Sequence, residues 1–300
     1  METLSLMSDD QYALSLTVHE AKGAKAVVQI VHGMEEHKER YYDFIRYLTE
    51  HQYSVVISDL RGHGSDAPIL SHIADKHGAL LLIRDQQKIT EWIKERFPGL
   101  PLILFGHSMG TIISRVLLQT DSEKYAAVAL SGYVNPNPAS SVAVMMGKMI
   151  KGMKGSRGYS KMLHNLALGS FSKSITGRKT ELDWLSYDED NVDRYINNPL
   201  CGAEFTVGSY QALFELLQQM GKPGRYQQIR KDLPVLLISG KDDPCTGGEK
   251  GRDSSRSLLA TAGFRNIAVI TYERMRHEIL NEKDYQKVYS DIRSFFDSVQ

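Results

Sequence analysis

The sequence predicts an α/β fold: a mostly parallel central sheet with helices on both faces, interrupted once by a helical insertion. Three observations predict it. Short apolar runs rich in Val, Ile and Leu recur along the chain, each ending in Gly, Ser, Asp or His. Segments of helical period lie between them. The alternation breaks after about Val134 and resumes near Tyr210. Short continuous apolar runs suit strands buried on both faces. Strand and helix in alternation is the pattern of a parallel sheet covered on both sides.

Tyr12–Val18 (YALSLTV) alternates and reads as an edge strand. Ala26–Val31, Tyr53–Ile57, Leu102–Phe105, Ala126–Leu130, Val235–Ile238 and Ile267–Ile270 read as buried strands. Tyr41–Leu48 puts Tyr41, Phe44, Ile45 and Leu48 on one helical face. Ala79–Phe97 reads as a longer helix stopped by Pro98-Gly99. A last helix carries Tyr285, Val288, Tyr289, Ile292, Phe295, Phe296 and Val299 on one face. From Asn135 to about Thr206 no core-strand pattern occurs. There NPNPAS reads as a loop, Ser141–Met153 as a Met-rich helix and KGMKGSRG as a flexible bend. The expected organisation is a core of residues 1–134 and 206–300, with 135–205 inserted as a cap or lid over the C-terminal edge of the sheet.

Composition sets outer bounds. A chain of 300 residues fits one α/β domain with an insertion and buries a sizeable core. Lys plus Arg (36) balance Asp plus Glu (36), which argues against nucleic acid as the main partner. Cys201 and Cys245 form neither a disulfide framework nor a zinc spacing. The opening METLSLMSDD lacks the basic and apolar regions of a signal peptide. No run reaches the roughly 18 apolar residues of a membrane span. A cytoplasmic protein is the expectation.

Chemistry concentrates at LILFGHSMGTIISRVLL, residues 102–118. A strand pattern stops at Gly106 and a helix pattern starts after Gly110, with Ser108 between them. Gly-x-Ser-x-Gly alone is a modest signal; the strand-to-helix context strengthens it. A sharp turn there exposes the hydroxyl, and the start of the helix offers free N–H groups to a developing oxyanion. The plainer reading is a helix-capping serine.

A serine nucleophile needs a base and a group that orients it, in the order Ser, acid, His for this architecture. PVLLISGKDDPC supplies a strand and then Asp242 and Asp243; NIAVITYERMRHEILNE supplies a strand and then His277. Asp243 is favoured as the acid because Pro244 holds the preceding residue extended. Asp242 suits a solvated turn. VVQIVHGMEEHKERY places His32-Gly33-Met34 after an early strand. The backbone N–H groups of Met34 and Met109 are the expected oxyanion donors. His32 itself reads as a satisfied turn histidine, the Asp59–Ala67 turn as structure, and His164 as a lid residue. No metal-ligand pattern or P-loop occurs among the remaining histidines and glycines.

These motifs resemble the α/β-hydrolase superfamily: strand–His-Gly, Glu36-His37 with Arg40-Tyr41, Arg61-Gly62-His63-Gly64, the Ser108 turn, Gly240 with Asp243, and His277. Within it the chain is most similar to the monoacylglycerol lipase, lysophospholipase and serine-aminopeptidase-like group. The resemblance runs from about residue 25 to the C-terminus. It implies a Ser108–Asp243–His277 triad and a cap over about 135–205. Thr111 stands where a third glycine often follows the serine turn, and Ser65 comes one place early after Arg-Gly-His-Gly.

The expectation is therefore a serine carboxylic-ester hydrolase acting on a single-acyl lipid or similar small ester through an acyl-enzyme, with no cofactor. The Met-rich stretch 142–153 is expected either to line an acyl channel, to touch a membrane surface, or to pack on the body. An aminopeptidase is one alternative, although His32-Gly33-Met34-Glu35-Glu36 differs from the His-Gly-Gly-Pro-Gly loop of proline-releasing relatives. A non-catalytic binding module on the same fold is the other.

Overall fold

The computed structural model describes residues 1–136 and 139–299. Eight strands among them form one sheet: β1 Glu2–Met7, β2 Ala13–His19, β3 Ala26–Val31, β4 Tyr53–Ser58, β5 Leu102–His107, β6 Ala127–Ser131, β7 Pro234–Gly240 and β8 Asn266–Tyr272. Their order is β1-β2-β4-β3-β5-β6-β7-β8. β1 and β2 are antiparallel; every pairing from β4 to β8 is parallel.

The helices are α1 Tyr42–Glu50, α2 Gly78–Arg96, α3 Met109–Asp121, α4 Ser140–Lys154, α5 Lys161–Ala167, α6 Gly169–Lys173, α7 Glu189–Ile196, α8 Val207–Met220, α9 Gly248–Ala262 and α10 Tyr285–Asp297. Side chains alternate across each strand, and the two resulting layers are visible in the core. Val27, Val56 and Leu104 face Leu82, Ile113, Leu117 and Leu216 from α2, α3 and α8. Val28, Val55, Ile57 and Phe105 face Phe44, Leu48, Ile292 and Phe296 from α1 and α10. The doubly covered, mostly parallel sheet expected from the alternating pattern is present.

Three differences from the sequence reading have physical causes. The Tyr12–Val18 strand is not the edge: β1 pairs outside it, from Glu2 opposite Val18 to Met7 opposite Ala13. β1 buries none of its residues fully, so its apolar signal is weak. β8 was expected to be buried on both faces, yet it closes the other edge, and Val269 is 41% exposed. The bend expected over 151–158 starts late. Helix α4 runs on to Lys154 and stops at Gly155, whose φ of 73° and ψ of 170° suit glycine and break the helix. The loop reading of NPNPAS falls partly on residues 137 and 138, which lie outside the described residues; Ser140 already begins α4.

Between β6 and β7 the described residues hold helices α4 to α8 and no strand. In a parallel sheet every strand delivers its following loop to the same edge. The C-terminal ends of β3, β5, β7 and β8 thus bring His32-Gly33-Met34, Ser108, Asp243 and His277 to one side.

Candidate active site

β5 ends at His107 and α3 begins at Met109, leaving Ser108 alone between them with φ 50° and ψ −119°. A non-glycine residue rarely occupies that region, and such strain persists only where the surroundings enforce it. They do so here: the Ser108 N–H donates to Ser131 O (3.0 Å), and the Thr111 N–H donates to Ser108 O (2.8 Å). The Thr111 hydroxyl donates to the same carbonyl (2.7 Å) and accepts the Val134 N–H (3.3 Å). Threonine in place of a third glycine thus ties the turn to the strand end beside it.

Gly110 packs directly under the end of β3. A Cβ there would lie 2.0 Å from Val31 O and 2.8 Å from His32 O. Gly33 sits against the serine itself: a Cβ on it would come 3.1 Å from Ser108 Cβ and 2.6 Å from Glu36 Oε1. The absence of these two side chains lets the 32–34 loop press on the serine turn. Met109 opens α3, so its N–H has no acceptor within the helix. Met34 and Met109 both line the cavity that Ser108 and His277 line.

Asp243 caps a short turn at Pro244–Thr246, with Oδ1 accepting the Cys245 N–H (2.9 Å). Its Oδ2 accepts from His277 Nδ1 at 3.0 Å, and both side chains are buried. Asp242 is exposed and accepts the Tyr187 hydroxyl (3.0 Å). Only Asp243 therefore meets the histidine, as Pro244 suggested. His277 packs between His107 and Trp184, with ring centroids 4.9 and 5.0 Å away. Its Nε2 is buried and has no hydrogen-bond partner among the described residues; no hydrogen bond joins it to the Ser108 hydroxyl. Burial pushes the His277 pKa down, but Asp243 beside it, with Glu278 and Glu36, holds it above the ordinary histidine value. His107 has the opposite balance: burial and the neighbouring His277 push it down to about 4.

The other histidines fit the structural reading. His32 Nε2 accepts the Leu60 N–H (2.9 Å) while Nδ1 donates to Gly33 O (2.7 Å). His63 Nε2 accepts the Glu35 N–H (3.2 Å). His164 Nδ1 pairs with the Tyr210 hydroxyl (2.9 Å). Asp243, Cys245 and His277 bring donor atoms within 4.8 Å of one another. Burial and the Asp243 charge push the Cys245 thiol well up, so it is a poor thiolate ligand.

Sequence reasoning missed the network beneath this site. Glu36 Oε1 accepts the Gly33 N–H (2.6 Å) and the Tyr41 hydroxyl (2.7 Å), and Oε2 accepts from Arg40 (2.9 Å). Arg40 also grips both oxygens of Glu278 (2.6 and 2.7 Å), and Asn191 donates to Glu278 (2.7 Å). Glu278 follows His277 directly, so the network fastens the Gly33 loop to the histidine loop. Arg40 holds both carboxyls below the usual range against their burial. Removing one partner of such a buried pair costs about 3–5 kcal/mol. The four-residue spacing of Glu36 and Arg40 was a usable signal; Glu278, 238 residues from Arg40, gave none.

The cavity measures about 270 Å³. Ile112, Leu213, Phe214 and Leu217 form an apolar wall from α3 and α8, and Ala143 of α4 joins it. Val144 and Ile150 pack inward, whereas Val142, Met145, Met149 and Met153 are 53–74% exposed. The exposed methionines of α4 are not among the cavity's lining, so the acyl-channel option fails for them.

Comparison with known proteins points the same way. A family model described as serine aminopeptidase, S33, matches residues 22–284. Monoglyceride lipase of Homo sapiens is 28% identical over 242 residues, covering 79% of this chain and 71% of the relative. Monoacylglycerol lipase of Mycolicibacterium smegmatis is 26% identical over 277 residues, covering 90% and 88%. A thermostable carboxyl esterase from Bacillus coagulans, solved in complex with glycerol, superposes with a TM-score of 0.92 at 25% identity, covering 99% and 98%.

Proposed function

The chain belongs to the α/β-hydrolase family described as serine aminopeptidase, S33, and is a serine hydrolase of the lipase and esterase type; from that premise we propose that it cleaves monoacyl lipid esters, as a monoacylglycerol lipase or lysophospholipase, through an acyl-enzyme on Ser108. One observation carries the reading. The strained Ser108 and the hydrogen-bonded Asp243–His277 pair meet at one sheet edge and border one largely apolar cavity.

In this mechanism His277 Nε2 takes the Ser108 proton as Oγ attacks the ester carbonyl carbon. The Met34 and Met109 N–H groups stabilise the oxyanion. His277 then returns the proton to the alcohol oxygen as the C–O bond breaks. Water, deprotonated by His277, releases the fatty acid from Ser108. Asp243 holds the imidazole tautomer and stabilises the imidazolium. The unpartnered Nε2 suits this role, since catalytic hydrogen bonds often tighten only when substrate binds. No cofactor enters any step. The two free cysteines favour a reducing compartment such as the cytoplasm.

The family's description raises an aminopeptidase as a second reading. Such an enzyme needs a carboxylate for the substrate's ammonium. Glu36 and Glu278 are both occupied by Arg40, and burial raises Glu35 to a pKa of about 8. These features favour esters. The test is labelling by a fluorophosphonate together with side-by-side hydrolysis of monoacylglycerols, lysophospholipids and aminoacyl amides. Labelling at Ser108 with ester turnover is expected. Faster amide turnover overturns the lipase reading, and no labelling overturns the mechanism.

Residues 135–205 act in this reading as the cap, and its outer face as a contact for an anionic lipid surface. No Asp or Glu occurs from 124 to 180, while Lys148, Lys151, Lys154 and Lys161 flank exposed Met145, Met149, Met153 and Met162 along the chain. Apolar side chains flanked by lysines suit anionic headgroups. Among the described residues no helix is long and apolar enough to cross a membrane, so the contact would be peripheral. Cosedimentation with phosphatidylglycerol vesicles is expected, weakening at high salt and in Met145→Ser/Met149→Ser. Equal binding to phosphatidylcholine vesicles, or none to either, sinks the idea.

A further inference from the structure

Between Met34 and Glu36 stands a second glutamate that the triad chemistry leaves unused. Glu35 is only 8% exposed, borders the cavity and has φ 57°. Glycine takes this left-handed conformation without strain; glutamate does not. The turn alone gives no reason for the side chain. Its backbone is fully engaged: the N–H donates to His63 Nε2 (3.2 Å), and the carbonyl accepts from the Tyr195 hydroxyl (2.7 Å) and the Gly202 N–H (2.9 Å).

The carboxyl is less satisfied. Oε1 accepts the Phe205 N–H at 3.3 Å. No ion pair to Glu35 is present among the described residues, and the nearby Arg40 is held by Glu36 and Glu278. Burial, aided by the charge of Glu204, outweighs the Phe205 N–H and raises the carboxyl to about 8. At neutral pH it is mostly a carboxylic acid, able both to donate and to accept. The cavity it borders is mixed. Ile112, Leu213, Phe214 and Leu217 line it with apolar side chains, and Glu35 and Tyr195 line it with polar ones. An ester whose acyl chain lies on the apolar residues leaves its alcohol to the polar ones.

We propose that Glu35 is a specificity-determining residue for the leaving alcohol: its carboxyl group hydrogen-bonds a free hydroxyl of that alcohol, favouring monoesters of polyols over esters of simple alkyl alcohols with the same acyl chain. The proposal rests on the ester-hydrolase reading. The test compares kcat/KM for a 1-monoacylglycerol and for the methyl ester of the same fatty acid at pH 7. Wild-type enzyme prefers the glycerol ester. Glu35→Leu loses that preference by about tenfold, the worth of one buried hydrogen bond. Glu35→Gln, neutral and still a donor and acceptor, keeps most of it.

An unchanged ratio in Glu35→Leu overturns the proposal and leaves the hydrolase reading intact. Equal losses on both esters assign Glu35 to holding the loop and overturn it too. A wild-type enzyme inactive on both esters overturns the hydrolase reading itself. Thermal unfolding of Glu35→Gln gives a readout independent of activity. The folded carboxyl keeps its proton to about 8, while the unfolded one loses it near 4.5. Wild-type stability therefore falls relative to the variant as pH rises through that window and levels above it. Two titratable groups touch Glu35 in the folded protein: His63 is pushed down to about 3 by burial, and burial beside Glu35 pushes the Tyr195 hydroxyl well up, so neither titrates in the window. A flat difference overturns the buried neutral carboxyl on which the proposal depends.

Discussion

Replacing Ser108 by Ala lowers ester kcat/KM by about 10⁴-fold or more while the protein stays folded. The expectation has two halves, and the structure bears on each. The hydroxyl forms no hydrogen bond to another described residue, so its removal strands no buried partner. The turn is enforced by backbone contacts, namely Ser108 N–H on Ser131 and Thr111 N–H on Ser108 O, which alanine keeps. Alanine at φ 50° is no more strained than serine. In the proposed mechanism catalysis, in contrast, loses the group that forms the acyl-enzyme. What remains is the smaller effect of the oxyanion donors and of substrate binding, about 10³–10⁴-fold over water in comparable enzymes. Circular dichroism and a thermal melt check the fold; steady-state hydrolysis of a monoacylglycerol checks the activity. A folded Ser108→Ala protein keeping a tenth of wild-type activity would falsify the nucleophile assignment.

What the sequence revealed, and what it hid, follows from how far each signal reaches along the chain. The Ser108 turn was legible because strand, glycine, serine and helix are adjacent. Asp243 was distinguishable from Asp242 because a local rule, the proline that follows, applies to one of them. The buried strands were legible because parallel strands covered on both faces need continuous apolar runs. β1 was missed because its apolar alternation is too short to stand out, only Leu4 and Leu6 between polar residues, and both are only half-buried. The Glu36–Arg40–Glu278 network was hidden for a different reason. Its members are surface-type residues in sequence, and only the fold brings position 278 against position 40. Glu35 was hidden because left-handed backbone leaves no mark in a string of letters. The proposed triad is local chemistry delivered by topology, while the groups packed around it are long-range contacts.

Changing Asp243 to Asn lowers kcat by about 10⁴-fold, whereas Asp242→Asn changes it by less than about twofold, as is usual for an exposed substitution. The difference comes from which atoms each carboxylate serves. Asp243 Oδ1 accepts the Cys245 N–H and Oδ2 accepts from His277 Nδ1. An asparagine must keep its one carbonyl oxygen on the Cys245 N–H, so its NH₂ turns toward His277. The imidazole then presents Nδ1 as acceptor and carries its proton on Nε2, the tautomer that cannot take a proton from Ser108. Asp242 only accepts the Tyr187 hydroxyl at the surface.

The pH profile carries the same argument with a definite sign. In the proposed mechanism His277 works as a base when neutral, so kcat/KM is expected to be high above its pKa and to fall as pH drops through it. Asp243 is the strongest influence raising that pKa, against the burial that lowers it. Without the Asp243 charge, burial weighs more heavily, and the acid limb of the residual activity moves to lower pH. Measuring kcat/KM from pH 4 to 9 for wild type, Asp243→Asn and Asp242→Asn separates the cases. A shifted limb and large loss in Asp242→Asn, with Asp243→Asn near wild type, would reverse the assignment of the acid. An unshifted limb in Asp243→Asn would mean that the titrating base is not the histidine Asp243 touches.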